Sequence, residues 1–180
     1  YSPGHTWEAT ARALIGLIEL GDVLDLASGD GVLAELIAEH ARSVTCVDIS
    51  STVVAAARKR LAPFANVQVQ QGDFHALDLR DASYDHIFAM HALSYTREPL
   101  KLVKEAQRLL RPGGRLILAT LNAHKYEAAM QAYDHLNLGT TPDKLHKLLT
   151  AGGLEVEMCR VTSREAKPPY FEVVTALAHK

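Results

Sequence analysis

Short apolar runs alternate with longer amphipathic stretches along most of the chain, a pattern of strands separated by covering helices. Strands are predicted at Asp22–Leu26, Ser43–Ile49, Asn66–Phe74 and Tyr84–Met90, with a fifth at Leu116–Thr120. The fifth is wholly apolar and so belongs inside a sheet covered on both faces. Helical periodicity falls between the strands, from Val32 to about Ala41, from Ser51 to Leu61, and from Pro99 to Leu110, where Pro99 suits a first turn. An earlier helix is expected from the N-cap Thr6 to Glu19, with Trp7, Ala11, Leu14, Ile15 and Ile18 on one face and Gly21 as its stop. Lys125–Leu136 reads as a further helix and a candidate lid, and Thr141-Pro142 opens another that reaches about Leu149. Leu154–Thr162 and Phe171–Ala178 follow with no helix between them, which predicts an antiparallel hairpin. The whole, 1–180, reads as one α/β domain around a mostly parallel, doubly wound sheet.

The first strand runs into Asp25-Leu26-Ala27-Ser28-Gly29-Asp30-Gly31 and then a helix. Glycines at 29 and 31 allow a sharp turn with positive φ and a close approach of ligand to backbone, and the helix beyond directs free N–H groups at that ligand. Gly29 to Ala34 also fits the loose dinucleotide pattern G-x-G-x-x-G/A, which alone suits several adenosine cofactors. The second strand brings Asp48 to its end, at the distance where one β-α-β unit returns an acid to ribose hydroxyls. As an alternative, Asp48 is a helix N-cap for the stretch from Ser51. The third strand ends in Gly72-Asp73-Phe74, where Asp73 can accept from an adenine amino group and Phe74 can flank the ring. Asp25, Asp48 and Asp73 thus form a row along the carboxyl edge of the sheet, where ligands of doubly wound folds bind.

These acids favour one cofactor chemistry. A pyrophosphate about 5 Å from a carboxylate at Asp25 or Asp30 would cost ~3 kcal/mol at an effective dielectric near 20. S-adenosyl-L-methionine carries a sulfonium and an ammonium and no phosphate, so it gains where NAD loses.

Composition narrows the partners. A net charge of −2 without a basic block gives no footprint for a nucleic-acid backbone or an anionic membrane. Neither a spanning apolar run nor a signal-peptide pattern occurs, so the domain is expected to be cytoplasmic, free of membrane and of direct nucleic-acid contact. Cys46 and Cys159 lie in apolar strand-like runs and read as small buried hydrophobes. The nine histidines show no close pair of zinc-site spacing on one element, so no metal is expected.

On Asp25-Leu-Ala-Ser-Gly-Asp-Gly31, Asp48, Gly72-Asp73-Phe74, the Tyr84–Tyr95 stretch, Leu110-Arg-Pro-Gly-Gly-Arg115 and the helix-less final strand pair, the chain resembles the class I S-adenosylmethionine-dependent methyltransferases, in particular the ubiquinone/menaquinone-type enzymes. The resemblance implies a Rossmann-like sheet of seven mostly parallel strands, the final one antiparallel, with helices on both faces. It implies that Asp25, Ala27, Ser28 and Gly29 hold the methionine moiety, Asp48 and Ile49 the ribose, and Gly72, Asp73 and Phe74 the adenine. Met90 and His91 would stand beside the sulfonium. Ala27 departs from the family pattern, which has glycine there.

Gly4–Ala9 and Lys167–Val174 are similar to the methyltransferase half of bacterial ArsR-type regulator fusions, and a DNA-binding segment is then expected ahead of Tyr1. Pro168-Pro169-Tyr170 lies far from the fourth strand, unlike the motif of DNA amino-methyltransferases, and two cysteines do not make an arsenite site. The expected activity is methyl transfer to a small molecule, yielding S-adenosyl-L-homocysteine, with His91 or Tyr95 as candidate base. The alternatives are a cofactor-sensing regulator domain without turnover and, third, a dehydrogenase.

Overall fold

Asp22–Leu26 (β1) lies inside a seven-stranded sheet whose other strands are Ser43–Asp48 (β2), Val67–Gln71 (β3), Tyr84–Met90 (β4), Leu110–Leu121 (β5), Glu155–Arg164 (β6) and Glu172–His179 (β7). The order across the sheet is β3-β2-β1-β4-β5-β7-β6. β1 pairs in parallel with both β2 and β4, and β4 with β5, whereas β7 runs antiparallel to both β5 and β6. Strand order reverses direction between β1 and β4, so the crevice outside their carboxyl ends is where a doubly wound sheet takes its ligand. The computed structural model describes residues 19–132 and 134–180. The helix expected from Thr6, with Trp7 among its apolar residues, lies up to Ile18 outside the described residues.

Alternation along β1 divides the core. Leu24 and Leu26 point to one face, with Leu116 and Leu118 of β5, and are covered by α3 (Pro99–Leu109) and α5 (Pro142–Ala151) through Leu102, Leu109, Leu145 and Leu149. Val23 points to the other, with Val44 and Cys46, beneath α1 (Val32–Ile37) and α2 (Ser51–Leu61) through Ala34, Ile37, Ala57 and Leu61. Along β5, Leu116 and Leu118 are buried on the first face, while Ile117 and Ala119, which alternate with them, are only half-buried on the other among the described residues. The opposite, amino edge is latched by charge. Arg111 joins Asp85 (2.6 Å) and Asp22 (2.8 Å), and the Asp22 N–H donates to Asp85 Oδ2 at 2.7 Å.

Several boundaries differ from expectation. The helix after the glycine loop ends at Ile37 and tightens into a 3₁₀ turn at Ala38–His40 instead of running to Ala41. β3 stops at Gln71, so Gly72, Asp73 and Phe74 belong to the loop beyond it. β5 begins at Leu110, directly after α3, and its pairing with β4 shifts register between Tyr84 and His86. The stretch from Lys125 to Leu136 is helical only at Glu127–Ala132 (α4). Among the described residues, no helix is long and apolar enough to cross a membrane.

Candidate functional site

The chain leaves β1 through three left-handed residues, Ala27 (φ 55°), Gly29 (φ 57°) and Gly31 (φ 85°). The Ser28 N–H donates to Val47 O at 3.1 Å and the Gly31 N–H to Ser28 O at 3.1 Å, folding the loop back over the end of β2. The two glycines do different work. A Cβ on Gly31 would sit 2.7 Å from Leu61 Cδ1, so Gly31 lets α1 close on α2, whereas a Cβ on Gly29 would meet nothing within 4 Å among the described residues. Gly29 faces open space, and that space is a cavity of about 560 Å³ at the carboxyl edge of the sheet, within the usual size of a small-molecule site.

Asp48 organises the near wall. Its Oδ2 accepts from the Gly29 N–H at 3.0 Å and its Oδ1 from the Ser50 N–H at 2.9 Å, while its own carbonyl accepts from the Gly72 N–H at 3.0 Å. One carboxylate therefore fixes the glycine loop and the start of α2, and keeps lone pairs for ligand hydroxyls. The helix-cap alternative is not what the structure shows: Ser50 is the N-cap of α2, its Oγ accepting from Val53 N at 3.4 Å.

Asp25 lies beneath this wall, 1% exposed, opposite Cys46 in the β1–β2 register. Its Oδ2 has no hydrogen-bond partner among the described residues, and burial, with the Asp48 charge adding to it, pushes its pKa up to about 7. Burial, with the charge of Asp25, also pushes the Cys46 thiol up to about 12, so that cysteine is inert packing, as is Cys159, whose thiol donates to Pro142 O at 3.2 Å. A cationic ligand group reaching Asp25 would supply the missing partner.

The far wall comes from the end of β4. Met90 lines the cavity, and His91 follows in a left-handed conformation (φ 57°), its N–H donating to Ala119 O at 2.7 Å. This turn aims His91 back over the sheet edge and starts a 3₁₀ turn at Ala92–Tyr95 that brings Tyr95 to the same cavity. Burial, with the charge of His135, holds the His91 imidazole below its ordinary pKa against an opposing pull from Glu165. His91 is thus a neutral acceptor at pH 7.

The cavity gathers Ala27, Gly29, Asp48, Ile49, Phe74, Met90, His91 and Tyr95 among the expected residues. Asp25, Ser28, Gly72 and Asp73 do not line it. Gly72 packs under the loop, where a Cβ would meet Leu77 and Val47. The Asp73 carboxylate is turned to His75, accepting from its N–H at 2.9 Å and bonding Nδ1 at 2.6 Å, while His75 Nε2 bonds Thr96 Oγ1 at 2.6 Å. Ser50, Val53 and Asp134 join the lining without having been expected. Ser50 and Val53 were findable from the Asp48-x-Ser50 N-cap signature. Nothing local marks Asp134.

Asp30 is not part of the rim, because Arg60 clasps it (2.7 Å to Oδ2) together with Glu35 (2.9 Å) on the outer surface. The acids that act on the cavity are Asp48, Asp134 and, from below, Asp25. Among the described residues, no group of three or more His, Cys, Asp or Glu side chains is placed to hold a metal ion.

Comparison with known proteins agrees with this geometry. Residues 24–118, more than half of the chain, match the model of a methyltransferase domain. The chain is 29% identical over 148 residues to a ubiquinone biosynthesis O-methyltransferase of Coxiella burnetii, covering 74% of this chain and 63% of that protein. It is 33% identical over 143 residues to a probable S-adenosylmethionine-dependent methyltransferase of Mycobacterium tuberculosis, covering 77% of this chain and 50% of that protein. The chain therefore spans between half and two thirds of the length of these relatives. Its fold superposes on an S-adenosylmethionine-dependent methyltransferase of Mesorhizobium loti with a TM-score of 0.76 at 19% identity, covering 96% and 97% of the two chains. The chain belongs to the class I S-adenosylmethionine-dependent methyltransferase domain family.

Proposed function

We propose that the cavity between Asp48 and His91 binds S-adenosyl-L-methionine and that the domain transfers its methyl group to a nucleophile on a small molecule. The observation that carries this reading is the position of His91. His91, its N–H held by Ala119 O and its imidazole held below the ordinary pKa by burial, lines the same cavity as the Asp48 carboxylate, with Asp48 at the end of β2 and His91 just after β4, the strands on either side of β1.

The residues fit the cofactor. Asp25 offers an unpartnered buried oxygen to an ammonium, Asp48 offers lone pairs to ribose hydroxyls, and the bare face of Gly29 leaves room between them. Ile49 and Phe74, both in the lining, offer apolar surface for the adenine. When bound, the cofactor supplies an electrophilic methyl carbon. The chain's own residues then do three things. Tyr95 and His91 hold an acceptor in line, the apolar surfaces of Ile49, Phe74 and Met90 displace water as ligands fill the cavity, and His91 takes the acceptor's proton as the nucleophile attacks. Positioning supplies most of the acceleration, with the proton transfer adding about 10²–10⁴-fold.

The name of the Coxiella relative supports hydroxyl-bearing acceptors as the first to try. The reading also keeps the domain in the cytoplasm, and the likeness of Gly4–Ala9 and Lys167–Val174 to regulator fusions supports a DNA-binding partner segment in the full protein. The test is a methyl-transfer assay with isotopically labelled cofactor against phenols, aliphatic alcohols, amines and thiols, comparing wild type with His91→Gln. Label transfer to one acceptor class, lost in the variant, is expected. Transfer to none of them by a protein that binds the cofactor would overturn the enzymatic reading.

A further inference from the structure

The 3₁₀ turn Ala92–Tyr95 is a partition between two cavities. Tyr95 faces the one already described, while Leu93 lines a second of about 400 Å³. The second lies between this turn, the end of β5, residues 136–140 and α5. Its walls are built rather than loose. The Leu136 N–H donates to Ser94 O at 2.7 Å, Asn137 Nδ2 donates to Leu93 O at 2.7 Å, and the Thr140 N–H donates to Leu121 O at 3.0 Å. Residues 136–140 are thereby fixed to both the partition and β5.

The polar groups of this cavity stand apart. Thr120, on β5, is 1% exposed, and its hydroxyl has no hydrogen-bond partner among the described residues. A buried hydroxyl is almost always satisfied, so its solitude points to a missing group. Arg97 is exposed on the lining and forms no hydrogen bond or ion pair among the described residues. The neighbouring Glu98 carboxylate does not neutralise it, being drawn to Lys101 at 3.7 Å. Leu93, Leu136, Leu148 and Pro99 supply the apolar surface of the same cavity.

We propose that this cavity is a second small-molecule site, for an acid whose carboxylate meets Arg97, whose apolar body packs on Leu93, Leu136 and Leu148, and whose distal hydroxyl or carbonyl meets Thr120. A guanidinium recognises a carboxylate through parallel N–H donors, and a threonine hydroxyl both donates and accepts, so the pair selects a bifunctional ligand. The inference does not rest on methyl transfer, because none of its residues lines the cofactor cavity.

The test is a calorimetric titration of the whole chain with 6-hydroxyhexanoate, with hexanoate as the comparison that lacks the distal hydroxyl. Each titration is run with and without saturating S-adenosyl-L-homocysteine. Saturable binding of 6-hydroxyhexanoate, tighter than that of hexanoate and not displaced by the homocysteine compound, is expected. Arg97→Ala should weaken both acids about tenfold, the usual loss for a charged hydrogen bond. Thr120→Val should remove only the advantage of the hydroxy acid. Leu148→Trp fills the cavity and should abolish binding of both, with a melting curve to confirm the fold. The exposed Arg97 variant decides the matter should the tryptophan variant not fold. Absence of saturable binding, displacement by the homocysteine compound, or an Arg97→Ala variant that binds like wild type overturns the proposal.

Discussion

Gly29 and Asp48, 19 residues apart in the chain, are joined by a hydrogen bond from the Gly29 N–H to Asp48 Oδ2 at 3.0 Å. The bond ties the turn that follows β1 to the last residue of β2, so that under the proposed function the cofactor cradle and the ribose acceptor would move as one unit. Asp48→Ala removes three interactions together, to Gly29, to Ser50 and to ligand hydroxyls. Binding of S-adenosyl-L-homocysteine should weaken by about 1–3 kcal/mol, and the melting temperature should fall in the same variant. Calorimetry and a melting curve on one sample check both. Unchanged affinity would show that Asp48 serves the loop alone.

Ala27 occupies a left-handed position (φ 55°) where the resembling family has glycine. A left-handed alanine costs roughly 1–2 kcal/mol, and the added freedom of glycine in the unfolded chain returns about 0.4–1 kcal/mol of that. Ala27→Gly should therefore stabilise the domain by up to about 1.6 kcal/mol, a rise of at most about 3–6 °C in melting temperature. Cofactor affinity should hold or improve, since the side chain removed lines the cavity. A lower melting temperature would contradict the strain.

The buried Asp25 carboxyl carries a pH signature. Its pKa is raised from 3.8 to about 7, so the stability it contributes is fully present below pH 3.8 and is lost as pH rises through about 7. Asp25→Asn is neutral throughout and should gain on wild type over that window, as denaturant titrations between pH 4 and 7.5 will show. An ammonium bound at Asp25 draws the proton off, so near pH 6 cofactor binding should release roughly one proton. The observed binding enthalpy should then vary with the ionisation enthalpy of the buffer in wild type and lose that dependence in Asp25→Asn.

His91 should act without holding the cofactor. His91→Gln should leave affinity for S-adenosyl-L-homocysteine within about threefold while lowering kcat by about 10²-fold or more, the low end for a removed proton acceptor. The wild-type rate should persist below the ordinary histidine pKa of 6.5, because burial keeps the ring neutral there. A variant with full kcat assigns His91 to lining alone.

How much of this was legible in the sequence follows the range of each interaction. The strand runs, the glycine turn and the Asp48 spacing are local patterns, and they located β1, β2 and the centre of the cavity. Asp30 was misplaced because its partner Arg60 lies 30 residues away on α2, and no local pattern reveals that clasp. Asp73, expected at the adenine, bonds the side chain two residues on, His75, through Oδ1, a contact that the strand pattern does not reveal. The stretch at 125–136 has helical residues along its length, yet only Glu127–Ala132 keeps the helix. Beyond it the chain takes its hydrogen bonds from the turn at Ala92–Tyr95, as Leu136 does from Ser94. That tertiary contact, like the place of Asp134 in the lining, leaves no mark in the periodicity.

The most direct measurement is a paired titration of S-adenosyl-L-homocysteine and NAD into wild type and Gly29→Val, with a melting curve for each protein. Gly29 lines the cavity, and a Cβ there meets nothing within 4 Å among the described residues, so the substitution strains the loop, by about 1–3 kcal/mol, and blocks the ligand. Wild type should bind the homocysteine compound saturably and more tightly than NAD, and Gly29→Val should melt cooperatively yet show no binding at micromolar concentrations. Tighter binding of NAD, or a Gly29→Val protein that binds the homocysteine compound like wild type, would contradict the assignment of this cavity.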